Sequence, residues 1–123
     1  MKVRYEQAEP FVTKDGSIIR ELIHPRGIEA SAQSLAEATV FPGSKTALHV
    51  HLTSQEIYHV TKGRGTMVLG DESFGIGPGD SVLIPPGTPH SLAQSGGEEL
   101  VVLCCCSPPY SDEDTELIRE EGA

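Results

Sequence analysis

Apolar positions along this chain fall in short alternating runs, and glycine or proline separates one run from the next. Period-two alternation bounded by such residues predicts strands, because successive strand side chains point to opposite faces. The pattern predicts strands over 17–23, 34–41, 49–51, 56–61, 66–69, 73–76, 81–84, 90–94 and 99–106. Between them stand turn signals at Asp15-Gly16, Gly63-Arg64-Gly65, Gly70-Asp71-Glu72, Gly77-Pro78-Gly79-Asp80, Pro85 to Pro89 and Gly96-Gly97. The alanines of 30–41 suggest a helix, but Thr39, Val40 and Phe41 ahead of Pro42-Gly43 favour a strand. Regular short strands with this punctuation indicate an all-β sandwich or barrel. Residues 1–10 read as a loosely held polar arm, with Val3 and Tyr5 as their strand-like alternation. At the other end, Ser111 with Asp114 three residues on predicts the cap of a short helix reaching Arg119 and fraying over 120–123.

Two stretches place chemistry on these strands. His49 and His51 are two apart, so in a strand their imidazoles share a face about 7 Å apart, where two nitrogens can converge on one ion. Glu56 follows His51 by five, which an unbroken strand would send to the opposite face. A turn at Leu52-Thr53-Ser54-Gln55, closing a hairpin, brings Glu56 back beside the histidines. His90, re-emerging from the Pro85 to Pro89 corner, is the natural fourth ligand. Three imidazoles and a carboxylate suit one divalent transition metal ion, Mn, Fe, Ni, Co, Cu or Zn, and suit Mg or Ca poorly. The plainer alternative is chance placement of polar strand residues. It leaves four ionisable groups in one small barrel at a large desolvation cost with no ion to offset it.

Tyr58 shares the face of Glu56 and is the candidate catalytic phenol, set against the reading of an ordinary core tyrosine. His59 has the opposite parity and belongs to the surface or an interface, and His24, before a proline, reads as structural. Lys45 has the parity of His49, so it either reaches the barrel mouth or is solvated. Alternation sends Cys104 and Cys106 to one face and Cys105 to the other; cysteine behaves as a small buried hydrophobe, with a thiol lining the pocket as the alternative. Arg20, Arg26 and Arg64 are scattered, so no arginine cluster marks a phosphate clamp.

The 123 residues suffice for one domain, and a net charge of -9 argues against nucleic acid or an anionic membrane as partner. Six of the 18 acidic residues lie after Tyr110 against one of the nine basic ones, so much of the excess is a solvated tail. No apolar run approaches the roughly 18 residues of a membrane helix, and Met1-Lys2-Val3-Arg4-Tyr5-Glu6 is no signal segment. Three consecutive cysteines make no disulfide framework and fit a reducing compartment. These features lead us to expect a cytoplasmic protein.

At its histidines the chain resembles the cupin superfamily, whose motifs are Gly-x5-His-x-His-x4-Glu-x6-Gly and Gly-x5-Pro-x-Gly-x2-His-x3-Asn. Gly43, His49, His51, Glu56 and Gly63 match the first, and Gly79, Pro85, Gly87 and His90 the second, with Gln94 in place of the usual Asn. The resemblance implies a double-stranded β-helix, a jelly-roll barrel, whose metal ligands are His49, His51, Glu56 and His90. It is similar to small single-domain cupins of the mannose-6-phosphate-isomerase-like group. On this reading residues 1–29 are an N-terminal arm and strand, 30–107 the barrel, and 108–123 an acidic tail or short helix. The arm either adds a strand to its own barrel or pairs with a second subunit, and a homodimer is the assembly implied. Three functions stay open: a metal-dependent enzyme on a small oxygen-rich substrate (dioxygenase or isomerase), a binding module for a small carboxylate or sugar, and a protein with a purely structural metal.

Overall fold

The computed structural model describes residues 2–24 and 32–119. Arg26 and the ends of both expected tails therefore lie outside the described residues. The strands, in order, are β1 (Phe11–Val12), β2 (Ile18–Ile23), β3 (Ser34–Val40), β4 (His49–His51), β5 (Gln55–Lys62), β6 (Arg64–Leu69), β7 (Glu72–Ile76), β8 (Ser81–Ile84), β9 (His90–Ser95), β10 (Leu100–Ser107) and β11 (Thr115–Leu117). They form two antiparallel sheets, one ordered β1-β2-β3-β10-β5-β8 and the other β11-β4-β9-β6-β7. The all-β jelly-roll barrel expected from the sequence is what forms. Among the described residues no helix is long and apolar enough to cross a membrane.

Alternation decides which side chains enter the barrel. Along β5, Glu56, Tyr58 and Val60 are buried while Gln55, Ile57 and His59 are exposed. Register then aligns inward rows across the six-stranded sheet. One runs Ala38, Val102, Val60, and the next Ala36, Cys104, Tyr58, Val82. A third, Ser34, Cys106, Glu56, Ile84, is polar in its middle. Met67, Leu92 and Leu100 fill the space between the sheets below these rows. Burying an aliphatic side chain of this size stabilises the fold by about 1.5–3 kcal/mol, so the lower barrel anchors the more polar upper part. Gly63 makes the β5–β6 turn with φ +78°, where a Cβ would also collide with the Glu99 carbonyl.

Three expectations need correction. The chain after Ser111 is not helical: Thr115–Leu117 pairs with β4, which otherwise would leave one edge open. Thr115 is buried in that pairing, and the Asp114 carboxylate is taken up by the 53–54 turn instead of capping a helix. The Leu52-to-Gln55 turn is also no hairpin. Its flanking strands belong to different sheets, so it is a corner carrying the chain across the barrel, and that crossing restores Glu56 to the inside. Residues 2–10, finally, are held. Tyr5 donates to Glu37 Oε1 at 2.6 Å, and the Arg20 guanidinium lies over the Tyr5 ring while donating to the Ala8 carbonyl at 2.7 Å. Strand β2 pairs with β3 of its own chain.

Candidate metal centre

His49 and His51 flank Val50 on β4, and His90 opens β9 directly opposite His49 in the ladder. One ligand atom from each of the three comes within 4.8 Å of the others, and all three residues are buried. Glu56, from the facing sheet, places Oε1 3.1 Å from His51 Nε2 and 3.4 Å from His90 Nε2. The four residues singled out in the sequence are thus brought together.

Hydrogen bonds fix how the imidazoles present themselves. His49 Nδ1 lies 2.8 Å from the Ala47 carbonyl and His90 Nδ1 3.0 Å from the Thr88 carbonyl. Carbonyls only accept, so both Nδ1 atoms carry protons. His51 Nδ1 meets Thr115 Oγ1 at 2.9 Å, and that hydroxyl donates to the Ser111 carbonyl at 2.8 Å, so it accepts from His51. With every Nδ1 protonated, the neutral rings direct Nε2 lone pairs inward, the tautomer a metal requires.

This arrangement is unsatisfied without a cation. His90 Nε2 is buried with no hydrogen-bond partner, and neutral His51 and His90 would point lone pairs at a carboxylate oxygen. Burial, and then the neighbouring His90, lower the pKa of His49 and so favour its neutral form. Burial opposes ionisation of Glu56, and without an ion only protons on Nε2 of His51 and His90 outweigh it, holding the carboxyl at about 2; a bound cation takes the place of those protons. An anionic carboxylate facing the Nε2 atoms of His51 and His90, with His49 clustered beside them, fits a divalent ion. Donors about 2.1 Å from a shared ion stand about 3.0–3.6 Å apart at angles of 90–120°, which brackets the Glu56 distances.

A cavity opens beside the cluster. Apolar Ile19, Ala38 and Leu92 line it, together with hydroxyl-bearing Thr13, Ser17, Ser34, Thr46, Tyr58, Tyr110 and Thr115. Its carboxylates are Asp15, Glu21 and Glu56, and no described lysine or arginine is on its wall. Tyr58 is buried, with its ring edge-on to His90, and burial holds its phenol well above the usual tyrosine range. The other candidates stay away: Lys45 is exposed, and His59 faces outward against Ser81 Oγ. Arg20 is engaged with Tyr5 and Ala8, and His24 Nε2 meets the Tyr110 carbonyl at the cavity wall.

Several residues of the centre carried no such signal. Cys104 and Cys106, read as small buried hydrophobes with a pocket-lining thiol as the alternative, both line the cavity, and Cys106 Sγ donates to Glu56 Oε2 at 3.1 Å. Their parity was visible, but the pairing of β10 with β5 that sets Cys106 opposite Glu56 was not. Asp15 was read only as a turn residue, and Tyr110 and Thr115 as tail. Gln94 does more than replace an Asn: it accepts from Gly43 N at 2.9 Å and donates to the carbonyls of Ser95, Gly96 and Glu98, tying the two motif ends together.

Residues 36–106 match the cupin domain. The uncharacterized protein MJ1618 of Methanocaldococcus jannaschii is 52% identical over 118 residues, covering 96% of this chain and 94% of that protein. Among solved structures, the polyketide cyclase RemF of Streptomyces resistomycificus superposes with a TM-score of 0.80 at 21% identity, over 99% of this chain and 87% of RemF. A predicted oxalate decarboxylase of Thermotoga maritima gives 0.76 at 25% identity, over 87% of this chain and 98% of its own.

Proposed function

The chain belongs to the cupin family, and from that premise we propose that it holds one divalent transition metal through His49, His51, Glu56 and His90 and binds or transforms a small oxygen-rich molecule beside it. The observation that carries this reading is the set of inward Nε2 atoms, each backed by a committed Nδ1–H, around one carboxylate. A bound ion would supply Lewis-acid polarisation of a ligand oxygen. The chain's own residues do the rest. Ile19, Ala38 and Leu92 exclude water, the wall hydroxyls orient polar groups, and Tyr58 offers a protonated phenol. The Cys106 thiol holds one Glu56 oxygen while the other faces the histidines. A cavity at the cluster favours a ligand-handling role over a purely structural metal. Its lining hydroxyls and the Asp15 and Glu56 carboxylates, with no lysine or arginine among the described residues of its wall, favour a neutral polyol, sugar or carbonyl compound over a phosphate ester.

Elemental analysis of the purified protein beside His49→Ala tests the metal. Near-stoichiometric metal in the parent and its loss in the variant are expected. Full stoichiometry in the variant, or no metal in the parent after reconstitution, would sink the assignment. A thermal-shift panel then tests ligand class: neutral sugars and carbonyl compounds should raise the melting temperature with concentration, and sugar phosphates should not.

We also propose that the assembly is a homodimer through the outer face of the larger sheet. Register lines up Leu35, Cys105, Ile57 and Leu83 across four strands, and Ile57 and Leu83 are exposed in the single chain.

A further inference from the structure

We propose that Asp15 is a fifth protein donor of the metal centre, making it a site of three imidazoles and two carboxylates. This rests on the metal reading of the four motif residues and extends it to the N-terminal segment, outside the matched cupin domain.

The two oxygens of Asp15 do different things. Oδ1 accepts from Thr13 Oγ1 at 2.8 Å, from Ser17 N at 2.9 Å and from Ser17 Oγ at 2.7 Å. That oxygen is saturated, and the three bonds set the direction of the carboxylate. Oδ2 has no such donor and instead faces His49 Nε2 at 3.6 Å, the nitrogen that points into the cluster. The separation equals that of two donors about 2.1 Å from one ion at about 120°.

The segment carrying Asp15 is built against the site. The Asp15 carbonyl accepts from Ala47 N at 2.8 Å, next to the carbonyl that orients His49. Lys14 donates to the carbonyls of Asp112 and Thr115 at 2.9 Å each, joining the segment to the strand that orients His51. Lys14 is thereby turned away from its neighbour's carboxylate. The Asp15 side chain is 14% exposed, and no described lysine or arginine lines the cavity to balance it. A part-buried carboxylate oxygen with no hydrogen-bond donor, facing a ring nitrogen that points into the cluster, is stabilised by a cation between them. A divalent ion between Glu56 and Asp15 neutralises both, and the resulting uncharged centre is consistent with a neutral ligand.

The test is Co(II) titration of metal-stripped protein against a competing chelator, with the visible d–d spectrum recorded at saturation. Asp15→Asn keeps an oxygen for the Thr13 and Ser17 donors and replaces Oδ2 by an amide nitrogen that cannot ligate. Affinity at least tenfold weaker, with a changed d–d band, is expected. Ile76→Val, which thins the apolar core away from the cavity, should lower the melting temperature and keep the parent spectrum. If Asp15→Asn folds poorly, Asp15→Ser, too short to reach the cluster, supplies the same comparison. Parent protein that binds no Co(II) overturns the metal reading and this proposal together. Parent protein that binds while Asp15→Asn matches it in affinity or spectrum overturns the role of Asp15 alone. So does an Ile76→Val variant that reproduces the spectral change.

Discussion

Replacing Asp114 by alanine should loosen the corner that returns Glu56 to the barrel, at a cost that can be worked from three hydrogen bonds. Its carboxylate accepts from Thr53 N at 2.8 Å, Thr53 Oγ1 at 2.7 Å and Ser54 N at 3.0 Å, while Leu52 N donates to the Asp114 carbonyl at 2.9 Å. The substitution removes the first three and leaves the last. A hydrogen bond to a charged group contributes about 1.5–3 kcal/mol when well buried. Asp114 is only half-buried, and water can re-solvate the freed N–H groups, so the three together contribute about 2 kcal/mol, at the upper end of a helix-cap deletion. For a domain of this size that is a fall of about 8 °C in melting temperature.

The same bonds fix the pH dependence. Burial opposes ionisation of Asp114, but the Thr53 and Ser54 donors outweigh it and lower its pKa. A lowered folded-state pKa makes the contribution fully present above the unfolded value of about 3.9, and it is lost as pH falls through the folded value. Circular-dichroism melts of metal-free parent and Asp114→Ala should therefore differ by about 8 °C at neutral pH, with the gap closing below about pH 4. Every other carboxylate is common to both proteins and cancels in the difference. A neutral-pH gap under about 2 °C, or a gap that persists undiminished into acid, would refute the reasoning.

Cys106→Ala deletes the donor to Glu56 Oε2 and should cost about 1–2 kcal/mol in urea unfolding of the metal-free protein. Cys106→Ser should recover part of this, and equal losses in the two variants would mean that thiol volume, not donation, matters. Leu83→Lys puts a charge on the exposed end of the apolar row and should convert a dimer to monomer in light scattering. A parent protein that is monomeric, or a variant that stays dimeric, would remove that face from the assembly.

How much of this was legible in the sequence follows from what each feature depends on. Strands β2 to β10 were readable because each carries its own alternation and its own Gly or Pro boundary. His49 and His51 were readable because ligand spacing within a strand is a local property, and Glu56 and His90 because turn residues just before each mark where its strand begins. β1 was missed because two residues hold no period, and β11 because Ser111 and Asp114 satisfy a helix-cap pattern that the open edge of β4 overrides. Asp114 illustrates the conflict well: the same carboxylate that favours a helix start locally is worth more against Thr53 and Ser54, 61 and 60 residues away in the chain.

The centre itself shows why a motif understates a site. Ligand identity is written in 49–56 and 90, but ligand state is set by segments outside the motifs. The proton on His51 Nδ1 is placed by Thr115, whose hydroxyl is committed by Ser111. Glu56 is oriented from behind by Cys106, across a strand pair that the sequence does not announce. Thr13 to Ser17 close the side of His49 with a carboxylate of their own. Both segments are fastened to each other through Lys14, whose ammonium joins the Asp15 turn to the residues that hold His51. A substitution near either end of the described chain should thus alter the proposed metal centre while leaving every motif residue in place. The specificity of this cupin is therefore to be sought in 13–17 and 108–115 as much as in the histidines they surround.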